Sequence, residues 1–174
     1  MQSGTRGVTL WELMLVLAIS GVLLGVAVPN LTRFMAHNRR VSTVNRLLAT
    51  LNYARATSIR RGRQTVVCPI DTTGHCHRGT DWSHGWLVYM NLDYDYPAHH
   101  DANEPVLRRV QSGPHTQWLS NRSQFVMRPR GKRSTNGTLT VCSPGAPGRA
   151  VIINVMGRAR SSRTRPGGDP VDCP

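Results

Sequence analysis

The sequence has few acidic residues. It has nine Asp and Glu residues but 22 Lys and Arg residues, which gives a formal net charge of +13 over 174 residues. Lysine is nearly missing as well: Lys132 is the only one, which leaves 21 arginines (22 − 1). This balance favours a polyanionic partner, either nucleic acid or an anionic membrane surface. The arginine bias favours phosphate, because one guanidinium contacts two phosphate oxygens at once.

The sequence also lacks recognisable motifs for catalysis or metal binding. None of its Ser, His and Asp residues lies in a nucleophile elbow or a metal-ligand pattern. The polar segment that starts at Asn91 departs from a calcium-binding EF-hand loop, which needs Gly at its sixth place and Glu at its twelfth. Those places hold Tyr96 and Ala102. We therefore predict a binding and assembly protein, not an enzyme, with no cofactor and no metal site.

One long apolar segment follows a polar leader of residues 1–7. The apolar run continues almost unbroken to Val28 and ends at Pro29. Residues 8–31 are numerous enough to cross a bilayer once as a helix. We therefore predict that residues 8–29 form a transmembrane segment.

Glu12 is an acidic residue near the start of this apolar segment. A charge at bilayer depth costs about 2.5–3.5 kcal/mol, so such a residue usually has a function. Cutting the chain after Gly7 would create a new α-amine at Val8, four residues before Glu12. That amine is a candidate partner for the carboxylate.

Four cysteines follow this membrane-directed leader. In the oxidising setting that such a leader indicates, they predict two disulfides. Three pairings are open, and the favoured one joins Cys68 to Cys76 and Cys142 to Cys173. The less favoured alternative is a zinc site made of Cys68, His75, Cys76 and His77.

Residues 30–62 continue the apolar segment with an amphipathic pattern. Apolar residues recur there mostly at three- and four-residue steps, which predicts a helix with one buried face. We predict a single helix from Val8 to Arg61, about 80 Å long, that ends at Gly62. The predicted buried residues are Phe34, Val41, Val44, Leu48, Leu51 and Ile59.

Residues 63–174 change to the short, β-branched and aromatic segments of antiparallel strands. The fold class we predict is α+β, with the long N-terminal helix packed on an antiparallel β-sheet head of one sheet or two small ones. The predicted strands are Gln64–Ile70, Gly85–Asn91, Val106–Gln111, Gln124–Arg128, Thr138–Cys142 and Ala150–Met156.

The N-terminal arrangement resembles the class III signal of type IV pilins and pseudopilins. In that family a prepilin peptidase cuts after the glycine and methylates the new N-terminus. The fifth mature residue is glutamate and the twenty-second is often proline; counted from Val8, these are Glu12 and Pro29. The resemblance implies cleavage after Gly7. Methylation stays open, because Val8 replaces the usual phenylalanine.

Segments of the head are similar to the FimT/GspH branch of this superfamily. They are residues 54–62, 85–89, 104–108 and 139–143, the last leading to 151–154. GspH-type members are minor pseudopilins of type II secretion. FimT-type members are minor type IV pilins, some of which take part in DNA uptake. FimT proteins carry Gly-Arg-x-Arg near the C-terminus, and residues 157–160 fit that motif.

This resemblance implies a DNA-binding tail. Arg158 and Arg160 are two residues apart, so an extended backbone points both to one side, and Gly157 allows the chain to turn. Few aromatic residues lie near them, which favours backbone contact with duplex DNA and a weak sequence preference. The further predicted contacts are Arg163 and Arg165 along the tail and Arg130, Lys132 and Arg133 as a second lobe.

The resemblance also implies a location and protein partners. It implies an inner-membrane, single-pass prepilin with its head in the periplasm, which later enters a pilus filament at the cell surface. The implied partners are double-stranded DNA, other major and minor pilins, prepilin peptidase and the inner membrane. The alternatives are a GspH-like pseudopilin without DNA binding and a pilus-tip adhesin for acidic glycans.

Overall fold

The computed structural model describes residues 7, 9–113, 116–130, 132–144, 146–171 and 173, without the side chains at 26, 29, 32, 33, 36 and 146. Val8, predicted as the new N-terminus, and the side chain of Pro29 lie outside the described part of the chain. Gly7 and Glu12 are inside it, and both are exposed.

A single helix, α1, spans Leu10–Arg61. Thr9 caps its start, where the hydroxyl oxygen accepts a hydrogen bond from the backbone N–H of Glu12 at 3.3 Å. Gly62 ends it with φ 65, a left-handed conformation that a residue without a Cβ adopts readily. The prediction of one continuous helix that ends at Gly62 is confirmed, although the helix begins at Leu10, two residues after the predicted start.

The N-terminal half of α1 extends away from the head. Its described side chains from Leu10 to Met35 are exposed apart from the partly covered Ser20. Over the ranges described above, no helix contains a stretch both long and apolar enough to cross a bilayer. The membrane role of residues 8–29 stays a prediction.

The C-terminal half of α1 packs on the head through a face that only partly matches the prediction, since Val41, Leu48 and Ile59 are half-buried. Val44 and Leu51 are buried as expected, and Leu47 and Ala54 join them with no exposed surface. Phe34 was predicted to be buried but is 63 % exposed. Phe34 precedes Arg40, which is the first buried residue of the described helix. The apolar spacing of the helix therefore continues beyond the part that packs on the head.

Eight strands form two antiparallel four-stranded sheets. The first sheet has the order β3-β2-β1-β5 and the second has the order β4-β6-β7-β8. The first comprises β1 (Gln64–Pro69), β2 (Gly85–Asn91), β3 (Val106–Gln111) and β5 (Phe125–Met127). The second comprises β4 (Gln117–Ser120), β6 (Gly137–Ser143), β7 (Ala146–Ile153) and β8 (Ala159–Ser162).

The six predicted strands are all present, within a few residues of their predicted ends. The α+β prediction is confirmed, with two sheets. Two further strands, β4 and β8, were not predicted. Each is four residues long, and β8 reads Ala-Arg-Ser-Ser, which has little intrinsic β preference. It is a strand because β7 supplies its hydrogen-bonding partners.

One hydrophobic core joins the helix to both sheets. Trp86 of the first sheet and Trp118 of the second have no exposed surface, and their rings meet edge to face with centroids 5.8 Å apart. The indole N–H of Trp86 donates to the hydroxyl of Thr50 on α1 at 3.2 Å. These contacts therefore fix the position of α1 relative to both sheets.

Both favoured disulfides are present. Cys68 is bonded to Cys76, and Cys142 of β6 is bonded to Cys173 in the C-terminal tail. The first bond uses both thiolates that the alternative zinc site required, so that alternative is wrong. The second bond closes a sequence separation of 31 residues and ties the tail to the second sheet.

Candidate nucleic-acid interface

The turn between β7 and β8 presents the Gly-Arg-x-Arg segment. The backbone N–H of Asn154 donates to the carbonyl of Arg158 at 3.1 Å, and the N–H of Gly157 donates to the carbonyl of Asn154 at 2.8 Å. The side-chain oxygen of Asn154 also accepts from the N–H groups of Met156 and Arg158, both at 3.0 Å. These four bonds fix the backbone that carries Arg158.

Gly157 is the residue that this turn requires. Its φ is 71, in the left-handed region, and the residue is buried. A Cβ at this position would lie 3.1 Å from the sulfur of Met127 and 3.1 Å from the hydroxyl oxygen of Ser134. Both the backbone angle and the close approach of neighbours therefore call for glycine, and the predicted turn is present.

Arg158 and Arg160 lie on one side of the backbone at the edge of the second sheet. Ala159 between them packs against the core, whereas both arginines are exposed. Strand β8 pairs only with β7 among the described strands, with Arg160 opposite Ile152. Alternation along an extended strand therefore directs both guanidinium groups away from the helix.

The loop of residues 128–134, which carries the second predicted lobe, is joined to the same turn. The backbone N–H of Ser134 donates to the carbonyl of Val155 at 2.8 Å. The hydroxyl of Ser134 accepts from the N–H of Arg128 at 3.1 Å, and a guanidinium N–H of Arg128 donates to the carbonyl of Arg133 at 2.9 Å. The loop is thereby closed and held beside Gly157. Its exposed cations are Arg130, Lys132 and Arg133.

The helix contributes a further arginine that the sequence did not predict as a site residue. The Nε of Arg55 donates to the carbonyl of Met156 at 2.8 Å, so α1 also supports the turn. The sequence signal for this role is weak. It consists only in the position of Arg55 next to Ala54, a buried residue of the helix, which places Arg55 at the border of the buried face. We call the joint cluster the basic edge, and its members are Arg55, Arg130, Lys132, Arg133, Arg158 and Arg160.

Arg163 and Arg165 follow β8 at its other end. Continuing the β7–β8 register past Ala150 and Ser162 places Arg163 opposite Arg149, on the helix-facing side of the sheet. The N–H of Arg165 donates to the carbonyl of Asp169 at 2.8 Å within a tail turn. Both side chains are exposed, but the length of β8 separates them from Arg158.

No acidic side chain neutralises the basic edge within the part of the chain that the structure describes. The single ion pair found there joins His99 to Asp95 at 3.2 Å, in the loop after β2. In the same loop, the buried carboxylate of Glu104 accepts from the N–H of Leu92 at 2.7 Å and that of Asp101 at 3.2 Å. These acids therefore stabilise their own loop, and the positive field of the basic edge remains.

Comparison with known families accounts for most of the head. The family model for the type II transport protein GspH matches residues 43–157. The chain belongs to the GspH family. The match includes α1 from Thr43 onward and strands β1–β7, and it ends at Gly157, immediately before Arg158. This GspH-family chain is a pilin-like structural protein, not an enzyme, and membership implies assembly with other pilin-type subunits.

Two relatives extend this comparison. The GspH-family chain is 34 % identical over 166 residues to the pilin-like protein PilA1 of Thermus thermophilus, covering 89 % of this chain and 97 % of that protein. Two crystal structures of the type IV minor pilin FimU of Pseudomonas aeruginosa are similar to it at 19 % identity, with TM-scores of 0.53 and 0.57. They cover 70 % and 74 % of this chain and 90 % and 92 % of the FimU chains. FimU shares the same fold.

Proposed function

We propose that this GspH-family chain is a FimT-type minor type IV pilin that binds extracellular duplex DNA for uptake in natural transformation. The observation that carries the proposal is the position of Arg158 and Arg160. They project from a rigid turn at a sheet edge, beside the cationic loop of residues 128–134. A cluster of unneutralised guanidinium groups on a fixed backbone suits the phosphates of DNA.

The proposed interface reads the DNA backbone and not its bases. Phosphate contacts position a protein on the duplex without carrying sequence information. Trp82, Trp86 and Trp118 are fully buried, so none of them is available to stack on an unpaired base. We therefore expect binding that depends strongly on salt and only weakly on sequence. Arg165 would extend the contact along the tail, whereas Arg163 lies on the helix-facing side of the sheet and is left out of the proposed contact.

The N-terminal segment has a separate part in the proposed mechanism. Prepilin peptidase removes residues 1–7, and residues 8–29 hold the protein in the inner membrane with its head in the periplasm. The same segment then packs among other pilin helices in a filament at the cell surface. There Glu12 pairs with the N-terminal amine of a neighbouring subunit, which neutralises two charges that are costly in a dry core. Retraction of the filament draws bound DNA inward.

Glu12→Ala tests the assembly step. Filament incorporation should fall at least about tenfold, because a buried amine that loses its partner costs about 3–5 kcal/mol. The head should stay folded, since Glu12 is exposed and lies outside the core. The measurement is the amount of the protein in sheared filaments relative to the amount in the membrane. Normal incorporation would refute the pairing role.

A head that lacks residues 1–35 tests DNA binding directly. It retains the whole described core, whose first member along the chain is Val44. We expect a mobility shift with unrelated duplex sequences of equal length at moderate salt. Competition by heparin as strong as that by DNA would favour the adhesin for acidic glycans.

The second candidate is a GspH-like minor pseudopilin of type II secretion that primes filament assembly without touching DNA. The specific observation in its favour is that the family match ends before Arg158. The two candidates share the fold and the filament role but differ in nucleic-acid affinity. A head that gives no mobility shift, with filament entry intact, would favour the pseudopilin.

A further inference from the structure

Arg40 is a buried cation where α1 meets the second sheet. It is 3 % exposed, and one of its terminal guanidinium N–H groups donates to the carbonyl of Pro147 in β7. Its Nε is also buried and has no hydrogen-bond partner among the described residues. A buried donor left in this state costs free energy that a bound acceptor would offset.

Two more arginines face Arg40 from the sheet. Arg149 of β7 pairs with Val141, a core residue, and therefore points to the helix-facing side. The continued register puts Arg163 on that same side. Burial, followed by the charges of Arg149 and Arg163, lowers the pKa of Arg40 below that of a free arginine. Arg149 and Arg163 are therefore both close enough to repel the guanidinium group of Arg40.

Nothing in the described part of the chain balances this charge. No described carboxylate lies within ion-pair distance of any of the three arginines. A buried, unsatisfied Nε with two further cations near it supplies what an oxyanion requires, a free N–H donor surrounded by positive charge. The tetrahedral oxygens of phosphate are suited to such an arrangement.

We infer that Arg40, Arg149 and Arg163 form a binding site for a phosphate-class oxyanion, separate from the basic edge. We call it the seam site. Free phosphate and the headgroup of an anionic phospholipid share this chemistry. The seam site lies 11 residues after Pro29, about 16 Å along a helix, which is within reach of a membrane surface if residues 8–29 span the bilayer. That lipid source rests on the proposed membrane segment; the site itself does not.

The test uses the full chain in a non-ionic detergent, with inorganic phosphate as the probe. At constant ionic strength, replacing chloride by phosphate should raise Tm by about 4 °C or more. Arg40→Gln should abolish this rise. Arg39→Gln removes the same charge from an exposed neighbour and should respond like the unmodified protein. Arg149→Gln, at a half-buried position, serves as the second variant in case Arg40→Gln does not fold.

A second arm identifies the source of the oxyanion. The full chain is placed in phosphatidylcholine vesicles with and without phosphatidylglycerol, and Tm is measured again. A rise with free phosphate assigns the site to the soluble ion, and a rise only with phosphatidylglycerol assigns it to lipid; either supports the seam site. Equal Tm in all conditions overturns it, as does loss of the response in Arg39→Gln.

Discussion

Replacing Arg158 and Arg160 together with Gln is expected to weaken the binding of duplex DNA by about 100-fold. A hydrogen bond to a charged group contributes about 1.5–3 kcal/mol, and the lower value for two such groups is about 3 kcal/mol. Gln keeps a polar, hydrogen-bonding side chain but removes the charge and the guanidinium fork, so the loss reports phosphate attraction. The measurement is a titration of labelled duplexes of unrelated sequence, each of which should lose affinity to the same extent.

The salt dependence of the same variant separates phosphate contacts from other effects. The slope of log K against log salt should become shallower by about 0.9 for each lost contact, or about 1.8 for both. Arg108→Gln with Arg109→Gln is the matched control, because it removes the same charge from exposed positions on β3 of the other sheet. An equal loss in the control would mean that overall charge binds DNA and that the tail has no special part.

Gly157→Ala is expected to lower the free energy of unfolding by about 3 kcal/mol. A left-handed backbone costs a residue with a Cβ about 1–2 kcal/mol, and crowding in a packed interior adds about 1–3 kcal/mol. The new Cβ would press on Met127 and Ser134, each at 3.1 Å. Denaturant unfolding of the head measures the change. Gly113→Ala is the control, since no atom of the described residues lies within 4 Å of a Cβ there, and it should change stability by less than about 0.5 kcal/mol.

The same substitution also connects stability to the proposed function. Ser134, which the new Cβ would displace, holds the loop of residues 128–134 against the β7–β8 turn. We therefore expect Gly157→Ala to weaken DNA binding under conditions where the head is still folded, although every cation is retained. Unchanged stability would contradict the packing argument. Unchanged affinity in a destabilised head would show that the two lobes do not need to be held together.

Much of the fold was predictable because its signals are local. The spacing of apolar residues after Asn30 predicted the helix, and Gly62 predicted its end, since only local hydrogen bonds and backbone angles are involved. Strands β2 and β3 were predicted at their observed limits. Of the three open disulfide pairings, the favoured one is present; it joins Cys68 to Cys76 in a local loop and Cys142 to Cys173 in the tail.

Other features depend on partners far away in the chain. Strand β8 has no apolar pattern of its own and exists because β7 offers it a ladder of hydrogen bonds. Phe34 lies at the helical spacing expected of a buried residue, but it is in the part of α1 that does not pack on the head, so its side chain is exposed. Arg55 supports the β7–β8 turn through a contact 101 residues distant in sequence. The spacing of apolar residues and the secondary-structure propensity of a segment contain no information on which distant residues it meets in the folded chain.

The arginines show which properties of this protein the sequence decides and which the tertiary structure decides. Composition by itself determined that this protein carries an excess of guanidinium groups with few acids to neutralise them, because charge is a sum over residues. Only the folded chain decided how the arginines group. Pairing with β7 directs Arg158 and Arg160 outward beside one loop, whereas Arg163 faces the helix near Arg40. The physical reason is that side-chain direction alternates along a strand, and the sheet register sets which direction meets the helix.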